Sequence, residues 1–262
     1  MDGLLMTRSQ SEHKNNLSLM SKVPERSDGV LNICKPRGIS SFRALSIVKR
    51  KLGLKKVGHL GTLDPAACGV LVLMCGRATK LADKLHSPTK VYRTLIVFGK
   101  ETETLDDEGE VIATSEIIPT KEQVEKVLPQ MTGEIEIEVP KFSAVHINGK
   151  RAYDLARKGI EFEAPKRVVA IKRFEMLTID ECKNDLESIG EQYDAQENSF
   201  YLEIECQTGT YIRSLAKLLA QKLGTVAIAS LIIRTKVGDF DIKDARMLDD
   251  VTICDLVIPS GL

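Results

Sequence analysis

The sequence predicts an α+β fold organised around a sheet. Three observations lead there: short apolar runs of β-forming residues recur along the chain, amphipathic stretches with helical spacing sit between them, and glycines close those stretches. No segment repeats at a fixed period, which argues against a solenoid or propeller.

Taken in order, Gly29-Val30-Leu31-Asn32-Ile33-Cys34 reads as a strand entering the turn Lys35-Pro36-Arg37-Gly38. Ser40 or Ser41 then offers a cap for a helix from Phe42 to about Leu52, stopped by Gly53. Phe42, Leu45, Val48 and Leu52 share its apolar face, with Arg43, Lys49 and Arg50 largely off it. Gly69 to Met74 is continuously apolar and suits a buried strand or a buried helix. Val91 to Phe98 is β-rich, and Thr120-Lys121-Glu122-Gln123 is a capping box opening a helix toward Pro129. Tyr201 to Cys206 alternates, with Leu202, Ile204 and Cys206 on one face and Glu203 and Glu205 on the other. After the turn Gln207-Thr208-Gly209-Thr210, a helix from about Tyr211 to Leu223 follows on Ile212, Leu215, Leu218, Leu219 and Leu223, and Gly224 ends it. Cys182–Ser199 is polar, acidic and unpatterned, and reads as an exposed loop inserted between two strands. The polar stretch up to Asp28 reads as a flexible tail without the apolar core of a secretory signal. Residues 29–250 are then one domain and 251–262 a short C-terminal tail.

Composition narrows the function classes. The 262 residues are 43% hydrophobic and 28% charged, enough to bury a core. No run approaches about 18 apolar residues, so no membrane-spanning helix is expected. Six cysteines lack a Cys-x-x-Cys pair or a histidine at zinc spacing, so they are expected to be reduced structural thiols in a cytoplasmic protein without a metal site. Formal net charge is zero, yet residues 30–100 hold 14 Lys/Arg and only Asp64 and Asp83 against them. That is the distribution of a phosphate-facing surface, or of a solvated charged face.

One stretch concentrates the chemistry: Gly58-His59-Leu60-Gly61-Thr62-Leu63-Asp64-Pro65-Ala66-Ala67-Cys68-Gly69-Val70-Leu71. It sets one carboxylate in a glycine-framed loop, stiffened by Pro65, in a basic region. Chemistry alone leaves two readings, a catalytic acid or an Asx turn capping backbone amides. The stretch, continuing through Gly76-Arg77-Ala78-Thr79-Lys80, resembles the signature of the TruB family of pseudouridine synthases. Further blocks follow in the family's order: Lys35-Pro36-Arg37-Gly38-Ile39-Ser40-Ser41, Tyr92, Gly99 to Gly109, Pro140-Lys141-Phe142-Ser143-Ala144, Gly149 to Arg157, and Gly209-Thr210-Tyr211-Ile212-Arg213-Ser214-Leu215-Ala216. The similarity runs from about Gly29 to Ala245.

The resemblance implies a mixed, mainly antiparallel sheet flanked by helices, with a central RNA-binding cleft. It implies an isomerase that turns uridine 55 in the TΨC arm of tRNA into pseudouridine, needing no cofactor, no obligate protein partner, and acting as a monomer. Asp64 would be the carboxylate that acts at the ribose, Arg213 its charge partner and orienter, and Tyr92 the ring stacked on the base. His59, Gly61, Thr62, Leu63 and Tyr211 would meet the flipped nucleotide. Lys35, Arg43, Lys80, Lys90, Lys150 and Arg151 are candidates for phosphate contacts. Departures from the pattern are Val139, His146 and Ile233, which bear on local RNA contacts, and the short stretch after Phe240, too short for a full PUA domain. Two other readings stand beside this one: a non-catalytic tRNA-binding or folding protein on the same fold, and a glycoside hydrolase pairing Asp64 with Asp106 or Asp107.

Overall fold

The apolar run that fits either a strand or a helix is a strand, Cys68–Cys75, with all eight residues buried. A strand covered on both faces needs apolar side chains on both, hence a run instead of an alternation. The computed structural model describes residues 27–85, 89–193 and 196–259, so most of the N-terminal tail lies outside the described residues. The strands are β1 (Gly29–Lys35), β2 (Val57–Leu60), β3 (Cys68–Cys75), β4 (Thr89–Phe98), β5 (Lys100–Thr102), β6 (Val111–Thr114), β7 (Gly133–Glu138), β8 (His146–Ile147), β9 (Lys150–Arg151), β10 (Lys166–Leu177), β11 (Ser199–Gln207), β12 (Ala227–Val237), β13 (Phe240–Asp241) and β14 (Arg246–Met247). The helices are α1 (Ser41–Lys51), α2 (Ala82–Leu85), α3 (Lys121–Val127), α4 (Ala152–Ala156), α5 (Ile179–Ser188) and α6 (Ile212–Lys222).

One ten-stranded sheet runs β14-β1-β3-β12-β4-β11-β10-β7, with β2 beside β3 and β13 beside β12. Its pairings are antiparallel except β1 with β14 and β12 with β3, so the sheet is mixed and mainly antiparallel, as expected. Leu202, Ile204 and Cys206 of β11 join Ile96, Phe98 and α6 residues Leu215 and Leu219 in the largest apolar cluster. A second cluster packs α1, through Ala44, Leu45 and Val48, against Leu31 and Leu71. Both caps form as predicted, although α1 starts at Ser41, one residue earlier than expected. Ser40 accepts from Arg43 N, and Thr120 and Gln123 form the reciprocal box.

Three expectations change. Phe42 is 72% exposed, and the core-facing positions of α1 are Ser41, Ala44, Leu45 and Val48; at about 100° per residue, Phe42 lies roughly a third of a turn away from the centre of that face. The acidic stretch is not all loop. Thr178 and Glu181 form a capping box that opens α5, and Cys182, Leu186 and Ile189, at helical spacing, bury against the sheet. Its end folds back: Glu191 accepts from Arg37 N at 2.8 Å, and the Arg37 guanidinium lies 5.3 Å over the Tyr193 ring. Residues after 250 also pack on the domain, with Val251 buried and Val257 exchanging hydrogen bonds with Val30. Among the described residues no helix is long and apolar enough to cross a membrane.

Candidate active site

Asp64 sits in the loop between β2 and β3, and that loop has no slack. Six successive carbonyls, from Gly61 to Ala66, all accept hydrogen bonds. Arg234 donates to Gly61 at 3.2 Å and to Thr62 at 3.0 Å. Ser41 donates to Leu63 at 2.8 Å and accepts from Leu63 N. Ala67 N closes on Asp64 O, Gly38 N on Pro65 O, and Arg37 Nε on Ala66 O. Irregular backbone this close to a core must find partners for its polar groups, and here they come from α1, the turn before it, and β12.

Gly69 shows how tightly β3 and β12 meet below the loop. Its φ is +100°, and an added β-carbon would lie 2.4 Å from the Arg234 carbonyl oxygen. Gly69→Ala is expected to cost about 2 kcal/mol or more, from backbone strain together with this clash. A thermal melt with a midpoint equal to wild type would sink that expectation.

The Asp64 carboxylate is 43% exposed and receives Arg213 Nη2 at 2.6 Å. Arg213 lies in the first turn of α6 and is 5% exposed. It also donates to Thr104 O at 2.7 Å and Phe142 O at 3.2 Å, and its Nη1 stands 3.5 Å from Asp106. Asp106 is buried and accepts from Thr104 Oγ1 and Glu108 N. One guanidinium is thus fixed between a buried carboxylate and an open one, and this sets the direction in which the open one points. Asp107, for its part, faces Lys100 and the Tyr193 hydroxyl. With Asp106 held by Arg213, neither acid is free to form the two-carboxylate pair of a glycoside hydrolase with Asp64.

Around this pair stand most of the residues singled out in the sequence. Tyr92, on β4, is nearly buried in the main cluster, and burial raises its hydroxyl pKa. Tyr211, just ahead of α6, is half-buried, and burial again pushes its hydroxyl up. His59, on β2, is half-buried. Burial, then Arg234, holds its pKa below the usual histidine value, so it is neutral at physiological pH, and its Nδ1 has no partner among the described residues. Thr62 is exposed at the loop's tip, whereas Leu63 turns into the core. Leu63 therefore contributes backbone bonds to Ser41, not a side-chain surface.

The phosphate candidates divide. Arg43, Lys80, Lys150 and Arg151 are exposed, and Arg151 lies over the Tyr153 ring. Lys35 is a correction: it is 0% exposed, and its ammonium donates to Pro36 O and Ile39 O, which tie the turn together. It has no surface to offer a phosphate. Lys90 is also buried, at 7%. Burial brings both lysines down to about 8. Their folded pKa lies below the unfolded value, so the native state binds fewer protons between the two, and the charge penalty, complete below pH 8, fades as pH rises toward 10.5. Wild type is therefore expected to gain stability relative to Lys35→Met between pH 7.5 and pH 10. Parallel melting curves for the two proteins across that range would contradict it.

Arg234 is the residue that sequence reasoning passed over as a site component, and Asp106, weighed there only as a second acid of a hydrolase pair, is instead the buried partner of Arg213. Arg234 is 0% exposed and spends its donors on Gly61, Thr62 and Val70. A lone arginine directly after the run Ala227 to Ile233, and still within β12, was the available signal, since a buried charge there must be satisfied by something specific. The cysteines are bystanders: burial lifts Cys34 to about 11 and Cys68 to about 12, which keeps both thiols protonated.

Fold and site together define a pseudouridylate synthase, an isomerase. Among solved structures, a chain in the crystal structure of a Cbf5–Nop10–Gar1 complex superposes with a TM-score of 0.61 at 26% identity, covering 86% of this chain and 53% of that one. A chain of an H/ACA RNP bound to a substrate RNA containing 2′-deoxyuridine shares the fold, with a TM-score of 0.59. The chain thus spans about half the length of these structural neighbours. It belongs to the TruB family: the model of the TruB family pseudouridylate synthase (N terminal domain) matches residues 49–212. The tRNA pseudouridine synthase B of Geobacillus thermodenitrificans is 41% identical over 86% of this chain and 72% of its own. That of Caulobacter vibrioides is 42% identical, with 66% of its length covered, and that of Endomicrobium trichonymphae is 38% identical, with 97% covered.

Proposed function

We propose that this protein isomerises uridine 55 in the TΨC arm of tRNA to pseudouridine, with Asp64 as the carboxylate that acts at the ribose. The observation that carries the reading is the exposed Asp64 carboxylate aimed by a buried arginine from a loop whose carbonyls are all bonded. Breaking C1′–N1 builds positive charge at C1′, and a fixed, ionised carboxylate is suited to meet it without reorganising. Tyr92 and Tyr211 flank the position a base would take, and His59, Gly61 and Thr62 line the nucleotide's approach. The exposed cations Arg43, Lys80, Lys150 and Arg151 supply phosphate contacts. Residues 29–250 form the catalytic domain of a cytoplasmic monomer that needs no protein partner and no cofactor. The names of its relatives, tRNA pseudouridine synthases B, support the tRNA substrate, including that of the relative matched over 97% of its length.

The test is pseudouridine mapping on an unmodified tRNA transcript incubated with the purified protein alone. Pseudouridine at position 55 supports the whole reading. Modification elsewhere refutes the site, and tRNA binding without any modification refutes the enzyme in favour of a binding or folding protein.

A further inference from the structure

Two cations, Lys90 and Arg234, lie buried beneath the Asp64 loop, and among the described residues neither forms an ion pair with a carboxylate. Arg234 is committed to three carbonyls. Lys90 is different. Among the described residues it forms no ion pair, and the ionisable groups beside it are the cation Arg234 and the Cys206 thiol, which burial keeps protonated. Its Nζ lies 3.0 Å from where a β-carbon on Gly61 would be, so the ammonium sits close against the backbone at Gly61, whose φ is +74°. Lys90 and Tyr92 are two apart on β4 and both buried, so they share a face of the strand. Burying an ammonium without a counter-ion is costly, and the cost is recovered if an anion arrives or forms there.

We propose that Lys90 holds the charge of the detached base: its ammonium, seated against Gly61 on the Tyr92 face of β4 and free of any carboxylate, carries the negative charge of uracil between loss of the C1′–N1 bond and formation of the C1′–C5 bond. This rests on the isomerase reading above. In the first step the C1′–N1 electron pair leaves with the base, spread over N1, O2 and O4, and C1′ is taken by a carboxylate oxygen of Asp64. In the second, C5 of the turned base supplies the pair that bonds C1′ and the carboxylate departs. C5 then loses its proton to solvent and N1 gains one, so product and substrate are isomers. A positive charge fixed where that anion forms stabilises it more than it stabilises the bound uridine.

The experiment compares Lys90→Met and Lys90→Arg with wild type, as full chains, on a tRNA transcript carrying uridine or 5-fluorouridine at the target position. Single-turnover disappearance of the starting nucleoside is followed at saturating protein, and Kd is measured by filter binding. For Lys90→Met we expect the uridine rate to fall about 100-fold, with Kd changed by less than about twofold. Lys90→Arg should recover much of the loss by keeping the charge. Fluorine makes the detached base a more stable anion, so the deficit of Lys90→Met should shrink on the 5-fluorouridine transcript, which a merely structural defect would not do. An equal deficit on both transcripts overturns the proposal. So does a raised Kd with an unchanged saturated rate, which would make Lys90 a phosphate contact, and so does a Lys90→Met rate equal to wild type. A wild-type protein that forms no pseudouridine would instead refute the isomerase reading itself.

Discussion

Asp64→Asn should stop turnover while leaving RNA binding intact. Asparagine has the size of aspartate, and its amide oxygen can still accept from Arg213 Nη2, so the pair geometry survives without its negative charge. The loop does not lean on that charge either. Its shape rests on backbone carbonyls held by Arg234, Ser41, Gly38 and Arg37. The single-turnover rate at saturating RNA should drop by about a thousandfold or more. Kd should stay within about twofold, or tighten slightly as one repulsion with phosphate is removed. Because the Asp64 side chain is 43% exposed, stability should change by less than about 1 kcal/mol. A variant retaining a tenth of the wild-type rate would remove Asp64 from the chemistry.

Arg213→Met should hurt both rate and stability, and the two losses should be separable. The stability loss comes from Asp106, which is buried and would lose the cation that stands beside it. Leaving a buried charge uncompensated costs about 3–5 kcal/mol. The rate loss comes from Asp64, which would lose the donor that aims it, and a drop of about 100-fold or more is expected. Adding Asp106→Asn should therefore restore much of the melting temperature and none of the rate. A double variant that regains activity would mean that Arg213 matters only for folding. An Arg213→Met single variant that melts like wild type would show that Asp106 does not depend on it.

The sequence made the local elements legible wherever chemistry and periodicity agreed. The caps at Ser40 and Thr120, the stops at Gly53 and Gly224, and the alternation in β11 are all read from neighbouring residues. Family resemblance supplied what periodicity could not: the mixed sheet and the pairing of Asp64 with Arg213, which are 149 residues apart. The misreadings have physical causes. α5 was hidden because its buried face is only Cys182, Leu186 and Ile189 among many acids. Lys35 looked like a phosphate ligand because a lysine's default place is the surface, and sequence does not show that Pro36 O and Ile39 O would claim its ammonium. The position of Arg234 in an apolar strand signalled a buried charge, but not which groups it would hold. Its partners are carbonyls, which every residue has, so no pattern of side chains announces them.

The bonded loop also dictates when the protein becomes competent. Asp64 emerges early in the chain, yet Arg213, which aims its carboxylate, and Arg234, which holds its loop, come late, and the contact between Arg234 and Gly61 spans 173 residues. A nascent chain must therefore be nearly complete before its reactive carboxylate has an orientation, and contacts of such sequence separation are among the slow ones to close. Refolding followed by two clocks should show this. Protection of amides in the sequence-local pairing of β1 with β3 should arrive first, and recovery of turnover later, as a separate phase set by the insertion of β12 between β3 and β4 and the docking of α6.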